Sequence, residues 1–170
     1  EDVVIATEVV EAPADGVADA TAAIQGAIER VAAAGGGVAF LPAGRYRLDG
    51  RLVLKEGVTL RGDWAPPARG GGADKGTILM PHADRGSADA PPAITMERGS
   101  GVREVTIWYP EQSPTVPVPY PWTLRTSTTA AGNNTTVMNA TLVNPYQAIR
   151  IGPEWNELHT IRNVYGTPLK

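Results

Sequence analysis

Cysteine is absent from this 170-residue chain. That excludes disulfides and thiolate metal sites and leaves the redox compartment open. Histidine is limited to His82 and His159, neither at a metal-ligating spacing such as HxxxH, so no metal site is expected. The only lysines are Lys55, Lys75 and Lys170, and the net charge is −3. Without a basic footprint, nucleic acid is not an expected partner. No apolar run reaches the length of about 18 residues needed to cross a bilayer, so no membrane span is expected. The glycines of Ala65–Gly76 lack both GxxxxGK[ST] and GxGxxG spacing, which argues against phosphate binding, and the stretch reads as a flexible loop. No serine stands in a Gly-x-Ser-x-Gly elbow. Phenylalanine occurs once, so the core must be built from Val, Ile, Leu and Ala.

What the chain does have is glycine, proline and short apolar runs, with 19 Gly and 15 Pro. Ile24, Ala27, Ile28 and Val31 fall at i, i+3, i+4 and i+7 and predict one amphipathic helix over about residues 19–34. Asp19 is placed to cap its start and Gly35 to close its end. Short strands follow. Val38–Leu41 stops at Pro42, which cannot donate to a sheet ladder. Tyr46–Leu48, Leu52–Leu54 and Val58–Leu60 are each cut off by glycine-bearing turns. Strands this short, with turns every six to ten residues, predict an all-β solenoid, barrel or sandwich.

The residues Asp19, Thr21, Ala22, Ile24, Gln25, Ala27 and Ile28 form a pattern with Gly35–Gly37, Leu41-Pro-Ala-Gly44, Tyr46 and Gly57-Val-Thr-Leu-Arg-Gly62. In this pattern residues 18–62 resemble the N-terminal segment of the pectate-lyase-like superfamily. It includes polygalacturonase-type and exo-β-1,3-glucanase-type glycoside hydrolases and polysaccharide lyases. The resemblance implies a mainly β fold, a right-handed parallel β-helix with one N-terminal capping α-helix. It implies residues 19–62 as cap helix and first coil of a single β-helix domain over residues 1–170. It specifies the fold better than the chemistry, because several activities share the fold.

A repeat supports the solenoid independently. Val137–Leu142 and Ile161–Tyr165 align with Asn139 over Asn163, 24 residues apart, and Val102–Ile107 fits the same frame with Glu104, 35 residues before Asn139. Aligned asparagines at a turn can hydrogen-bond along a stack, and a structural ladder is the favoured reading. The longer offset requires an insertion, and the Pro/aromatic segment 107–122 is the candidate. After Asn163 no amphipathic segment follows to cover a last edge. That predicts an N-terminal part of a larger β-helix, whose C-terminal edge a further chain or coil stack covers.

The 107–122 segment carries five prolines and the aromatics Trp108, Tyr109, Tyr120 and Trp122. Two readings stand for these rings: stacking on the apolar faces of sugars, or holding the loop to the coil surface. Trp155 is a further sugar-stacking candidate. Tyr109-Pro-Glu-Gln112 also broadly resembles a segment of β-helix glycosidases.

Glycosidases need two carboxyls flanking the scissile bond. Candidates are Glu111, inside the aromatic loop, and Glu154 and Glu157, which flank Trp155 near His159. A coherent pair is not visible, and each acid reads first as a solvated turn residue. In polygalacturonase-type relatives the resemblance implies catalytic acids on central coils, and their paired aspartates are not present here. The chain alone is therefore an uncertain enzyme.

The expected function is part of a secreted or cell-surface carbohydrate-active enzyme, a glycoside hydrolase acting on a polysaccharide by carboxylate acid/base catalysis. A polysaccharide lyase is the alternative, and a non-catalytic tail-spike or adhesin module is the reading from another class. No cofactor is expected, with calcium admitted only for a lyase. The arginine and alanine bias points to a bacterial source.

Overall fold

The predicted helix forms where its apolar period places it. The computed structural model describes residues 5–67, 74–129, 132–153 and 156–170. Helix α1 spans Thr21–Ala33 and buries Ile24, Ala27, Ile28 and Val31 to 1% exposure or less. Gly35 follows in the left-handed region at φ 97°, as a helix C-terminus favours. The start differs from expectation. Ala20 is the cap residue and no side chain caps it. Asp19, one residue earlier, accepts from the Thr21 hydroxyl and N–H at 2.5 and 3.0 Å and from the Asp49 N–H at 3.1 Å. Its carboxylate ties the helix start to a turn of the first coil. These bonds, the Thr21 hydroxyl foremost, hold the Asp19 carboxyl below its ordinary range.

Thirteen strands follow the chain: β1 (Glu8–Val9), β2 (Asp15–Asp19), β3 (Gly37–Phe40), β4 (Gly44–Leu48), β5 (Leu52–Leu54), β6 (Val58–Arg61), β7 (Thr77–Pro81), β8 (Ile94–Met96), β9 (Gly101–Trp108), β10 (Trp122–Thr126), β11 (Thr136–Val143), β12 (Gln147–Arg150) and β13 (Thr160–Gly166). All pairings between them are parallel. A front sheet has the order β12-β10-β8-β5, and the other nine strands form a second sheet. That second sheet is bent. Strand β9 pairs with β6 through Gly101–Arg103 and with β7 through Thr106–Ile107. Each coil therefore runs up one half of the bent sheet, turns, runs along the other half, and crosses to the front sheet. This is the parallel β-helix expected from the sequence.

The bend is made by one residue per coil. Glu104, Asn139 and Asn163 have φ of 59°, 52° and 53°, a left-handed conformation that asparagine tolerates better than most side chains. They are in register, because Met138 faces both Arg103 and Arg162 while Ala140 faces both Val105 and Val164. The Asn163 Nδ2 donates to Asn139 Oδ1 at 2.8 Å, so the expected asparagine ladder is present. Glu104 pairs instead with Arg61, Nε to Oε2 at 2.5 Å.

Between β6 and β7 the bend becomes a loop. Its base is tight, since a Cβ on Gly62 would lie 2.6 Å from the Glu104 carbonyl oxygen and the Thr77 Cβ. Part of this loop, including most of its glycines, lies outside the described residues.

Inward side chains stack coil on coil. Ala39, Leu60, Val102 and Val137 make one column, Tyr46, Leu79, Ile107 and Leu142 a second, and Leu52, Ile94, Leu124 and Ile149 a third. Helix α1 lies over the β3 and β5 end of this core. Gln25 closes the front sheet there: its Oε1 accepts from the Val53 N–H at 2.9 Å and its Nε2 donates to the Val53 carbonyl at 3.3 Å. At the other end Ile161, the next member of the first column, is 50% exposed.

Candidate functional site

Alternation along the front sheet decides what faces out. Leu52, Leu54, Ile94, Met96 and Leu124 are fully buried. Between them Val53, Thr95 and Arg125 are half-buried, and Arg150 continues the same rung on β12. The rung Val53–Thr95–Arg125–Arg150 is thus the outer face of the front sheet. One step further along the strands, the Lys55 Nζ lies 3.3 Å from Glu97 Oε1. The Arg150 guanidinium sits 5.7 Å from the centre of the half-buried Trp122 ring, within cation–π range.

A wall stands at one edge of this face. It consists of the two long connections that enter the front sheet, residues 82–93 before β8 and 109–121 before β10. The equivalent connection one coil later is only residues 144–146. Gln112 holds the second loop in shape. Its Oε1 accepts from the Val118 and Ser113 N–H groups at 2.7 and 3.1 Å, and its Nε2 donates to the Val118 carbonyl at 2.8 Å. The Gly86 N–H donates to the Pro119 carbonyl at 2.7 Å and joins the two loops. Gln147 Nε2 is within hydrogen-bond distance of the Ala88 and Tyr120 carbonyls, at 3.0 and 3.2 Å.

The four aromatics of the insertion do not act together. Tyr109 and Tyr120 are each 1% exposed and pack edge to face with ring centres 4.8 Å apart. The Tyr109 hydroxyl is 2.9 Å from the Thr123 hydroxyl. Burial pushes both phenols above their ordinary range. The sugar-stacking expectation for Tyr109 and Tyr120 is therefore corrected: the loop folds them into the core, where their area stabilises its root. Trp108 is half-buried on the bent sheet, 5.8 Å from the Arg45 guanidinium. Trp122 is the ring left beside the front face.

The acids are likewise dispersed. Glu111 rises from the wall half-exposed, its carboxylate 3.6 Å from His82 Nδ1 and 3.4 Å from Arg85 Nε. Glu157 is exposed in the turn that leaves β12, and its carbonyl accepts from the Asn134 N–H at 2.8 Å. One acid sits where the chain enters the front sheet and the other where it leaves. The two thus stand at opposite ends of the front-sheet strands. Glu154 and Trp155 lie outside the described residues. His159, near Glu157, has Nδ1 2.8 Å from the Thr135 hydroxyl, and burial lowers its pKa. Among the described residues no group of three or more His, Cys, Asp or Glu is arranged to hold a metal ion.

The sequence reading missed two features. Trp64 reaches from the β6–β7 loop to donate its Nε1–H to Thr141 Oγ1 at 2.9 Å, with its ring 6.0 Å from Tyr165. Beside it is a mostly apolar groove of about 370 Å³, with Pro67, Val143, Tyr165 and Thr167 in its lining. No local pattern announces a contact spanning 77 residues. The second is the outward rung of Arg125 and Arg150. A 25-residue spacing, close to the repeat, was its only signal in the sequence.

Residues 8–84 match the family model described as rhamnogalacturonase A/epimerase, pectate lyase-like. A 55-residue segment is 53% identical to mannuronan C5-epimerase AlgE4 of Azotobacter vinelandii, covering 28% of this chain and 10% of that protein. The solved A-module of the same epimerase superposes with a TM-score of 0.60 at 22% identity, over 94% of this chain and 51% of the module. The chain thus spans about half the length of that module. The gp49 tailspike of Acinetobacter baumannii bacteriophage Fri1, a capsular polysaccharide depolymerase, superposes with a TM-score of 0.55 at 16% identity, over 95% of this chain and 29% of the tailspike. The expected pectate-lyase-like likeness and the parallel β-helix fold are thereby borne out. The relatives named are a mannuronan epimerase and a capsular polysaccharide depolymerase. Glycoside hydrolysis in particular is not singled out, because an epimerase stands among the relatives. No helix among the described residues is long and apolar enough to cross a membrane.

Proposed function

We propose that this chain is part of a secreted or cell-surface carbohydrate-active enzyme, contributing the capped first coils and a polysaccharide-binding cleft. The floor of the cleft is the outer face of the front sheet and its side is the double-loop wall. The observation that carries this reading is the wall itself. Two connections much longer than the fold requires are fixed by Gln112, Gln147 and the Gly86–Pro119 bond. They border a face with a partly exposed indole. A polymer can lie across such a face with a ring against Trp122 and its hydroxyls toward the loops.

The bond chemistry is proposed to need acids or bases beyond Glu111 and Glu157, since these two stand at opposite ends of the front-sheet strands. Glycoside hydrolysis follows from the superfamily resemblance. Uronate epimerisation is a second reading, favoured by the 53% identity to the mannuronan epimerase segment. The edge of β13, with Ile161 and Tyr165 half-exposed, suits a further parallel coil or a second chain.

Affinity electrophoresis against a panel of polysaccharides tests the binding role. Trp122→Ala is expected to weaken retention about tenfold, in line with loss of one aromatic contact of ~1–1.5 kcal/mol. Unchanged retention would remove Trp122 from the site. Product analysis separates the chemistries: new reducing ends for hydrolysis, an ultraviolet-absorbing unsaturated end for elimination, and altered sugar stereochemistry without chain cleavage for epimerisation.

A further inference from the structure

We infer that Glu111 is a positioning residue, an ionic latch between the two wall loops that sets how the wall stands beside the front face. This inference rests on the polysaccharide reading given above, whose cleft has that wall as its side.

Two kinds of tie join the loops. The Gly86–Pro119 bond and the Gln147 amide use neutral groups. The other tie is ionic. The Glu111 carboxylate, on the second loop, reaches two side chains of the first: Oε1 is 3.6 Å from His82 Nδ1 and Oε2 is 3.4 Å from Arg85 Nε. His82 adds charge only when protonated, whereas Arg85 is always a cation. The first loop is gripped in turn from the coil before it. Arg51 donates to Asp84 through Nε at 2.9 Å and Nη2 at 2.7 Å. Arg51 precedes β5, Asp84 and Arg85 precede β8, and Glu111 precedes β10. Charges of alternating sign therefore cross three successive entries to the front sheet. The next entry, residues 144–146, carries no charge, so the series ends where the wall ends, with Glu111 as its last link.

The latch acts on the position of the wall rather than on folding. Tyr109 and Tyr120 already hold the root of the second loop in the core. The Arg85 and Glu111 side chains are 50% and 51% exposed, where an ion pair contributes little to stability and salt screens it. Such a contact cannot decide a fold, but it can decide between loop conformations that differ by little energy. The cluster also reaches the root: burial first, and then the Glu111 charge, raise the Tyr120 phenol, while Arg85 opposes both. A polymer entering the cleft meets a wall already in place when the latch is closed. When the latch is open the polymer must order the wall itself, which weakens binding.

Hydrogen exchange of the 170-residue chain reads the latch without any ligand. Residues 82–93 and 109–121 are expected to exchange about two- to fivefold faster in 500 mM than in 25 mM sodium chloride, with β9 and β10 unchanged. Glu111→Gln is expected to show the faster exchange at both salt concentrations. The charge swap, Arg85→Glu together with Glu111→Arg, is expected to restore slow exchange at low salt, which a merely structural role would not allow. Each variant is expected to melt within about 4 °C of the parent chain, and this also shows that it folds. Isothermal titration at low salt with a neutral glucan, an oligouronate and a sulfated glucan then reads the cleft. Whichever of these binds is expected to bind Glu111→Gln about two- to fivefold more weakly, and the charge swap is expected to recover the loss. For an anionic oligomer, loss of a negative side chain would by itself strengthen binding, so a weaker result comes from the wall. Wall exchange that ignores both salt and Glu111→Gln, or unchanged or tighter binding by that variant, overturns the positioning role and leaves the polysaccharide reading standing. Failure of all three oligomers to bind overturns the polysaccharide reading, while hydrogen exchange still decides the latch.

Discussion

Successive coils Gly101–Thr126 and Thr136–Arg150 have the same strands in the same register, yet one carries the wall and the other does not. In the first, residues 109–121 join β9 to β10. In the second, residues 144–146 join β11 to β12. The columns pass through both unchanged, with Ile107 over Leu142 and Val105 over Ala140. A connection on this edge can therefore grow without disturbing the stack, provided that its root is anchored. Tyr109 and Tyr120 supply that anchor. The lesson is a division of labour: inward positions are constrained by the neighbouring coil, while connections are constrained only by their own closure and are free to build a site.

The sharpest way to break this comparison is in the shared core. Ile107→Ala and Leu142→Ala remove stacked side chains from matching positions, and each is expected to cost about 2–5 kcal/mol in urea denaturation. Similar losses from both would show that the insertion leaves the core equivalent, whereas a much smaller loss at Ile107 would mean that the loop coil is already loosened. The next effect is confined to one coil. Gln112→Ala removes the bonds that shape residues 109–121 and is expected to cost roughly 1–2 kcal/mol. Hydrogen exchange should rise within the loop and stay slow in β9 and β10; if it spread into β9, wall and core would not be separable.

The smallest effect lies at the turn leaving the short-loop coil. Burial lowers the pKa of His159, so the folded state binds its proton less readily than the unfolded state. Stability is then unaffected well above the ordinary histidine pKa of about 6.5 and falls as pH drops through it toward the lowered folded value. Replacing His159 with Gln should flatten this acid-side slope by a small amount in thermal melts between pH 7 and 5. A slope of unchanged steepness would assign it to other groups.

Which parts could be read from the sequence follows from the range of each interaction. Helix α1 obeyed a period of 3.6, a property of consecutive residues. The asparagine ladder was legible because Asn139 and Asn163 repeat the same local context 24 residues apart. The helix start was missed by one residue because Asp19 serves two partners, one of them Asp49 in the first coil. Tyr109 and Tyr120 could not be placed, since a proline-rich loop reads alike whether its rings face solvent or the core. Arg125 and Arg150 lie on strands of different local sequence, and only the β10–β12 register brings them side by side. The separation of Glu111 from Glu157 belongs to the coil path rather than to either motif.

The amide ladder at the bend has a consequence for how such a molecule can change. Each bend asparagine offers one donor and one acceptor along the stacking direction, and Asn163 uses one of them on Asn139. A whole coil of 24 residues could be duplicated or removed at that point, and the amides on either side would still meet a partner. An insertion of half a coil would set an apolar side chain against an amide. The ladder thus acts as a reading frame in three dimensions, favouring growth and loss of the solenoid in whole turns.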